Sequence, residues 1–226
     1  MNFQNIQQLR LIHFFVQLDE LSALVPKDLP IRKFGESALV IMADMLLKGH
    51  ELPGDECTEN ADDRQIELAV LVDDSSLNAG VCKGLFPMAT FLGKGYKGSY
   101  IPLTAKGKVK PVSIKEAHGE VVIENGVDFI HYAFINTVSA PKEQEFLQAL
   151  GPLDRVYNKV AEGWEMTQVV HQPTRMEGIN CYHFESNLFK TARLTGALNS
   201  SSPLMFELLP PSQVNLPGSH LDKMVA

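Results

Sequence analysis

Short apolar segments rich in β-branched residues, separated by turn residues, recur along this chain. That pattern constrains the fold more than any other feature. Leu11–Val16 is apolar and aromatic, Ala38–Leu47 is a longer apolar run, and Ile66–Val72 reads Ile-Glu-Leu-Ala-Val-Leu-Val. Branched and aromatic side chains suit a pleated, half-buried surface. Glu120–Glu124 and Val127–Ile135 flank Asn125-Gly126, which predicts a hairpin closed by a type I′ turn, whose two central residues take positive φ. Trp164–His171, Leu188–Leu198 and Leu204–Leu209 read as further strands. Helical signals are few: one or two turns over Asp19–Leu24 ended by Pro26, and a helix over Pro141–Leu150 stopped by Gly151-Pro152. Many strands at hairpin spacing with few short helices predict a mainly β fold, an antiparallel sheet curled into a barrel. Without repeats or a linker, one domain is expected across residues 1–226.

Charge and composition exclude some functions. The formal net charge of −7 disfavours nucleic acid, whose phosphates need a basic face. No apolar run approaches the ~18 residues of a membrane span, and Leu11–Val16, followed by Asp19 and Glu20, is too short for a signal peptide. The three cysteines (Cys57, Cys82, Cys181) stand far apart and in no metal spacing. A cytoplasmic protein that binds neither membrane nor nucleic acid is expected. Two charge blocks stand out. Residues 51–74 carry nine acids against one base, Arg64, and residues 94–115 carry six lysines and no acid. Two solvated hairpins explain them, as would attraction between the blocks within or across subunits.

Several motifs resemble chemistry and fail on context. Gly93-Lys94-Gly95-Tyr96-Lys97-Gly98 spells G-x-G-x-x-G, but Pro102, Gly107 and Pro111 follow where a phosphate-binding helix would have to start. Val112-Ser113-Ile114-Lys115 imitates a kinase strand lysine, yet no His-Arg-Asp or Asp-Phe-Gly follows. The seven histidines form no H-x-H or H-x-x-x-H pair, so no metal and no cofactor are expected, short of ligands gathered from distant strands. Cys82, beside Lys83, reads as a packed cysteine.

Order and local pattern together resemble the acetoacetate decarboxylase superfamily. Asp19, Leu21, Leu24, Val25, Pro26 and Leu29 are similar to that family's Asp-x-Leu-x-x-Leu-Val-Pro-x-x-Leu turn after its first strand. Ala38–Ala43 resembles the strand entering the family's pocket, and Val81–Phe91 resembles the segment bearing its lysine pair. Thr195-Gly196, Ser202-Pro203-Leu204 and Leu209–Val214 are similar to its closing segments. The resemblance implies a cone-like antiparallel β-barrel with an apolar pocket, often assembled into homo-oligomers. In the family's decarboxylases a buried lysine forms an imine with a β-keto acid, while glutamates and an arginine position substrate and move protons.

Carried across, the match breaks at the chemistry. The run here is Phe86-Pro87-Met88-Ala89, so the lysine pair falls on Met88 and Ala89, neither of which can form an imine. Val40 takes one glutamate position, and the second falls on Glu67, or on Glu59 with a shifted loop. Arg10 is the candidate arginine, and Val40, Met42, Phe86, Met88 and Phe91 are the expected pocket wall. If Ile66, Leu68, Val70 and Val72 face outward, Glu67 points into the barrel. The expectation is an enzyme of this type acting on a small oxo acid or related carbonyl compound without the lysine. Glu67 or Glu59 would then serve as acid/base and Arg10 as carboxylate anchor. A non-catalytic small-molecule binding protein is the alternative, as is a true decarboxylase with a relocated lysine, Lys94 foremost among Lys83, Lys94 and Lys97.

Overall fold

The computed structural model describes residues 2–48, 62–73, 84–93, 109–135, 155–160, 163–168, 170–171, 175–194, 204–209 and 212–216. The strands are β1 (Asn2–Gln17), β2 (Lys33–Phe34), β3 (Ser37–Lys48), β4 (Asp62–Val72), β5 (Gly84–Gly93), β6 (Val109–Ala117), β7 (Glu120–Glu124) and β8 (Phe129–Ile135). They continue with β9 (Arg155–Val160), β10 (Gly163–Gln168), β11 (Val170–His171), β12 (Arg175–Ser186), β13 (Arg193–Leu194), β14 (Leu204–Leu209) and β15 (Ser212–Leu216). A single helical turn, α1 (Leu18–Leu21), overlaps the expected Asp19–Leu24 stretch but starts and ends earlier. The expected helix over Pro141–Leu150 lies outside the described residues.

The sheet curls until it meets itself. β1 pairs with β3 on one side and with β14 on the other, and the circuit runs on through β12, β8, β7, β6, β5 and β4 back to β3. Closure of this kind removes the exposed edges that a long open sheet would present. Most pairings are antiparallel, as the hairpin spacing implies. The exceptions are β5, which runs parallel to both β6 and β9. Parallel neighbours cannot be joined by a tight turn, and 15 residues of sequence separate Gly93 from Val109.

Period-two alternation fixes what faces the interior. Ile12, Phe14 and Val16 of β1, Val40 and Met42 of β3, and Ile66, Leu68, Val70 and Val72 of β4 are all buried in the main core. The opposite face carries its own small cluster of Leu39, Ile41 and Leu71, against which Leu11, Phe15 and Leu85 pack. The strands of this wall are therefore apolar on both faces, which is why they read as continuous apolar runs rather than alternating ones. Close packing reaches the backbone at Gly84, where an added Cβ would lie 2.1 Å from Cε2 of the buried Tyr157 ring.

Two expectations, one turn and one strand, need correction. Asn125-Gly126 does not form a two-residue turn. Glu124 pairs with Phe129 across four intervening residues, and only Gly126 of that loop takes positive φ (88°). The Asn125 side chain explains the difference: its Oδ1 accepts from the amides of Val127 (3.0 Å) and Asp128 (2.8 Å), a local turn that competes with type I′. The two-residue turn lies one hairpin earlier, at His118 (φ 53°) and Gly119 (φ 80°), between paired Ala117 and Glu120. Finally, of the strand expected over Leu188–Leu198, the described residues 188–194 pair as a strand only at Arg193–Leu194, while the long strand before it is β12, whose Gly178 and mixed polarity hid it.

Candidate functional site

β5 carries the feature on which the resemblance turned. Leu68 of β4 pairs with Ala89, but Ala69 pairs with Pro87, so Met88 is an extra residue in the register. A proline inside a strand cannot donate to the ladder and belongs at such a bulge. The bulge resets the alternation. Phe86 and Met88 are in the core before it, Phe91 after it, and Ala89 packs against the same core. Met88 and Ala89 thus both contribute to the interior wall. Val40, Met42, Phe86, Met88 and Phe91 all lie in one core cluster.

The interior is layered. Ile12, Met42, Leu68 and Ala89 are linked in register across β1, β3, β4 and β5, and the next layer along is Arg10, Asp44, Ile66 and Phe91. At that level the apolar wall gives way to a charged cluster, with Arg64 and Glu116 beyond it. Arg64 donates from Nε to Asp44 Oδ1 (2.8 Å) and from a terminal nitrogen to Oδ2 (2.5 Å), a two-pronged pair. Its other terminal nitrogen donates to Glu116 Oε2 (2.5 Å). Arg10 donates to both oxygens of Glu116 (3.1 and 2.7 Å) and lies 3.9 Å from Asp44. Its guanidinium sits 4.4 Å over the Phe134 ring. The Tyr132 hydroxyl donates to Asp44 Oδ2 from within the core.

Two arginines against two carboxylates make the cluster neutral, which is how so many charges tolerate burial. Arg10, Asp44 and Tyr132 are almost wholly enclosed, whereas Glu116 keeps 30% of its side chain exposed. Burial favours the neutral forms of Arg10, Arg64, Glu116 and Tyr132, but the pairing prevails at the first three. Against burial, the Glu116 and Asp44 contacts raise Arg10 and Arg64 above the usual arginine value. Burial would likewise raise Glu116, yet the hydrogen bond from Arg10 and the charge of Arg64 hold it below the usual carboxylate range. Tyr132 is pushed well above the usual phenol value, first by burial and then by the Asp44 charge, so it keeps its proton.

A folded-state pKa below the unfolded one means that Glu116 stabilises the fold fully above the unfolded carboxylate value of about 4.3. That contribution is lost as pH falls through the depressed folded value. Glu116→Gln is therefore expected to flatten the acid side of the stability–pH profile. Urea midpoints measured between about pH 6 and 3 would reveal it, and an unchanged slope would contradict the pairing.

Of the residues singled out from sequence, Arg10 is in this cluster. Glu67 stands elsewhere: Ile66, Leu68, Val70 and Val72 face the core, so the half-buried Glu67 lies on the opposite face with Ala69 and Leu71. The condition under which it would enter the barrel is not met. Glu59, Lys83, Lys94 and Lys97 lie outside the described residues. The sequence reading gives Asp44, Arg64, Glu116 and Tyr132 no site role. The available signal was a polar residue at the inward parity of an apolar strand, Asp44 after Val40 and Met42 and Tyr132 between Ile130 and Phe134. From the lysine block, Lys110 is paired with Asp128 at 2.8 Å. No helix among the described residues is long and apolar enough to cross a membrane.

No protein-family model and no curated protein sequence matches the chain. Solved structures do. An acetoacetate decarboxylase from Legionella pneumophila superposes with a TM-score of 0.53 at 13% identity, covering 100% of this chain and 88% of that one. An acetoacetate decarboxylase-like enzyme from Sphingomonas wittichii RW1 gives 0.52 at 9% identity, over 94% and 90% of the two chains. The enduracididine biosynthesis enzyme MppR, complexed with pyruvate, gives 0.54 at 7% identity over 95% and 88%. MppR was also solved with the condensation product of pyruvate and imidazole 4-carboxaldehyde.

Proposed function

The chain has the acetoacetate decarboxylase-like fold, and from that premise we propose that it binds a small oxo acid or related carbonyl compound inside the barrel and acts on it without a lysine imine at the bulge. The observation that carries this reading is the position of the neutral Arg10–Asp44–Arg64–Glu116 cluster one layer from Met88 and Ala89. The substrate carboxylate takes the place of Glu116, the most exposed member, against the forks of Arg10 and Arg64. Its carbon chain lies along the apolar layer of Met42, Leu68 and Met88. Displacing Glu116 removes the contacts that hold its pKa down, so binding itself turns this carboxylate into a stronger base. Tyr132, which keeps its proton, is the donor for a carbonyl oxygen gaining negative charge. A proton leaves the carbon beside the carbonyl for Glu116 while Tyr132 supports the enolate, and the reverse transfer restores the ketone. The oxo-acid ligand of MppR, on the same fold, supports the substrate class.

The test is pyruvate and acetoacetate binding followed by NMR, with exchange of the adjacent C–H in deuterated solvent as the catalytic readout. Arg64→Lys keeps the charge but loses the fork, and is expected to weaken binding by about 10- to 100-fold, the worth of a charge-assisted hydrogen bond. Tyr132→Phe is expected to abolish exchange and retain binding. Binding without exchange in the wild type would favour the non-catalytic alternative, which the apolar Met88–Ala89 pair also suits. A borohydride-trapped adduct on a wild-type lysine would favour relocated imine chemistry. Absence of binding to either acid would overturn the proposal.

A further inference from the structure

The outer face of the β8–β12 ribbon carries a cluster that the interior chemistry does not use. On β8, Ile130, Tyr132 and Phe134 are buried in the core, so His131 stands on the other face. β12 runs antiparallel to β8, with His183 opposite Ala133 and Glu185 opposite His131. The register shifts between Cys181 and His183. Cys181 is in the core, and without that extra residue His183 would follow it inward by period two. The shift instead puts His183 and Glu185 beside His131 on the outer face, while Phe184 packs against the core.

The three side chains converge. The imidazoles of His131 and His183 lie with ring centroids 4.7 Å apart at 58°. His183 Nε2 is 3.8 Å from Glu185 Oε2, too far for a hydrogen bond. One nitrogen from each histidine and one Glu185 oxygen all fall within 4.8 Å of one another. His131 Nε2 is itself enclosed and has no hydrogen-bond partner. A buried polar atom left in that condition costs stability unless something satisfies it. An ordinary surface ion pair between His183 and Glu185 accounts for neither the unsatisfied His131 nitrogen nor the tilted packing of the two imidazoles.

We propose that His131, His183 and Glu185 bind a divalent transition-metal ion of the zinc class, bridging β8 and β12. Two imidazoles and a carboxylate are a sufficient three-ligand set for zinc, leaving the remaining position to water. Tetrahedral ligation with bonds of about 2.0–2.1 Å needs ligand atoms about 3.3 Å apart. The partly exposed His183 and the exposed Glu185 have the rotamer freedom to close that distance. The ligands come from two strands, and their facing depends on a register shift, which is why no metal spacing exists in the sequence. The ion would pin the β8–β12 pairing at the place where its ladder is interrupted.

The test uses the full chain stripped by a chelator. Zn²⁺ affinity is measured by competition with a chromophoric chelator, and Co²⁺ is added as a spectroscopic probe. One bound ion, with the intense visible absorption of low-coordinate Co²⁺, is expected. His131→Asn and Glu185→Gln are each expected to weaken binding by at least about tenfold, the scale on which even outer partners of a metal act. His118→Asn, on the β6–β7 turn, is the control that leaves affinity unchanged. Should His131→Asn fail to fold, Glu185→Gln still decides, because that side chain is 65% exposed. No ion bound, or wild-type affinity in the Glu185→Gln and His183→Asn proteins, would overturn the site and assign any residual binding to other ligands.

Discussion

Asp44→Ala is expected to cost about 3–5 kcal/mol of stability, the loss found when one partner of a buried ion pair is deleted. The carboxylate is 2% exposed and receives two bonds from Arg64 and one from the Tyr132 hydroxyl. Removing it leaves Arg64, a buried phenol hydroxyl and part of the Arg10 field uncompensated. Glu116 remains on the same side, so its two arginine contacts retain part of the cluster and bound the loss from above. Tyr132→Phe should cost much less, about 1 kcal/mol, since it removes a donor but strands no charge. The double change Asp44→Ala with Arg64→Met should be milder than the sum of its parts, because it deletes both charges of the pair. Urea unfolding of the four proteins measures the cycle. A loss below about 1.5 kcal/mol for Asp44→Ala would mean that the cluster is solvated, removing the premise for its use in substrate binding.

The barrel was legible because its evidence is local. The apolar runs of β1, β3 and β4 can be read residue by residue, and the strand over Leu204–Leu209 has the bounds read from sequence. Errors arose wherever a side chain competed with the backbone or a register slipped. Asn125 built its own turn, and β12 lacks the apolar periodicity that marks a strand. The interior wall was partly legible: five expected wall residues share the core, yet the inward placement of both Met88 and Ala89 depends on a bulge that no period reveals. The polar cluster was mostly missed, because Arg10, Asp44, Arg64, Glu116 and Tyr132 come from five strands and are separated by up to 122 positions of sequence, a relation only the closed circuit of pairings creates. Glu67 is a carboxylate inside an apolar run. With both faces of β4 packed, that run does not say which face is the interior.

Met88→Lys is expected to convert a chain that yields no borohydride-trapped adduct at the bulge with acetoacetate into one that yields a nearly stoichiometric one. Met88 is 2% exposed among Phe86, Phe91, Leu68 and Met42. An amine placed there loses its hydration, which lowers its pKa and makes the neutral, nucleophilic form available near neutrality. The neighbouring cluster has equal numbers of arginines and carboxylates, so it adds little to that shift in either direction. Desolvation is the cause of the lowering. Lysine and methionine have similar lengths, so the exchange is tolerable in volume and its stability cost comes from the charged form, falling as pH rises. The adduct is read by intact mass and located by peptide mapping. An adduct that also requires Arg10 and Arg64 would place the carboxylate of the oxo acid at the cluster and its carbonyl at the bulge. If the folded variant forms none, and Ala89→Lys forms none, no oxo acid reaches this layer, and the interior is a packed core rather than a binding site.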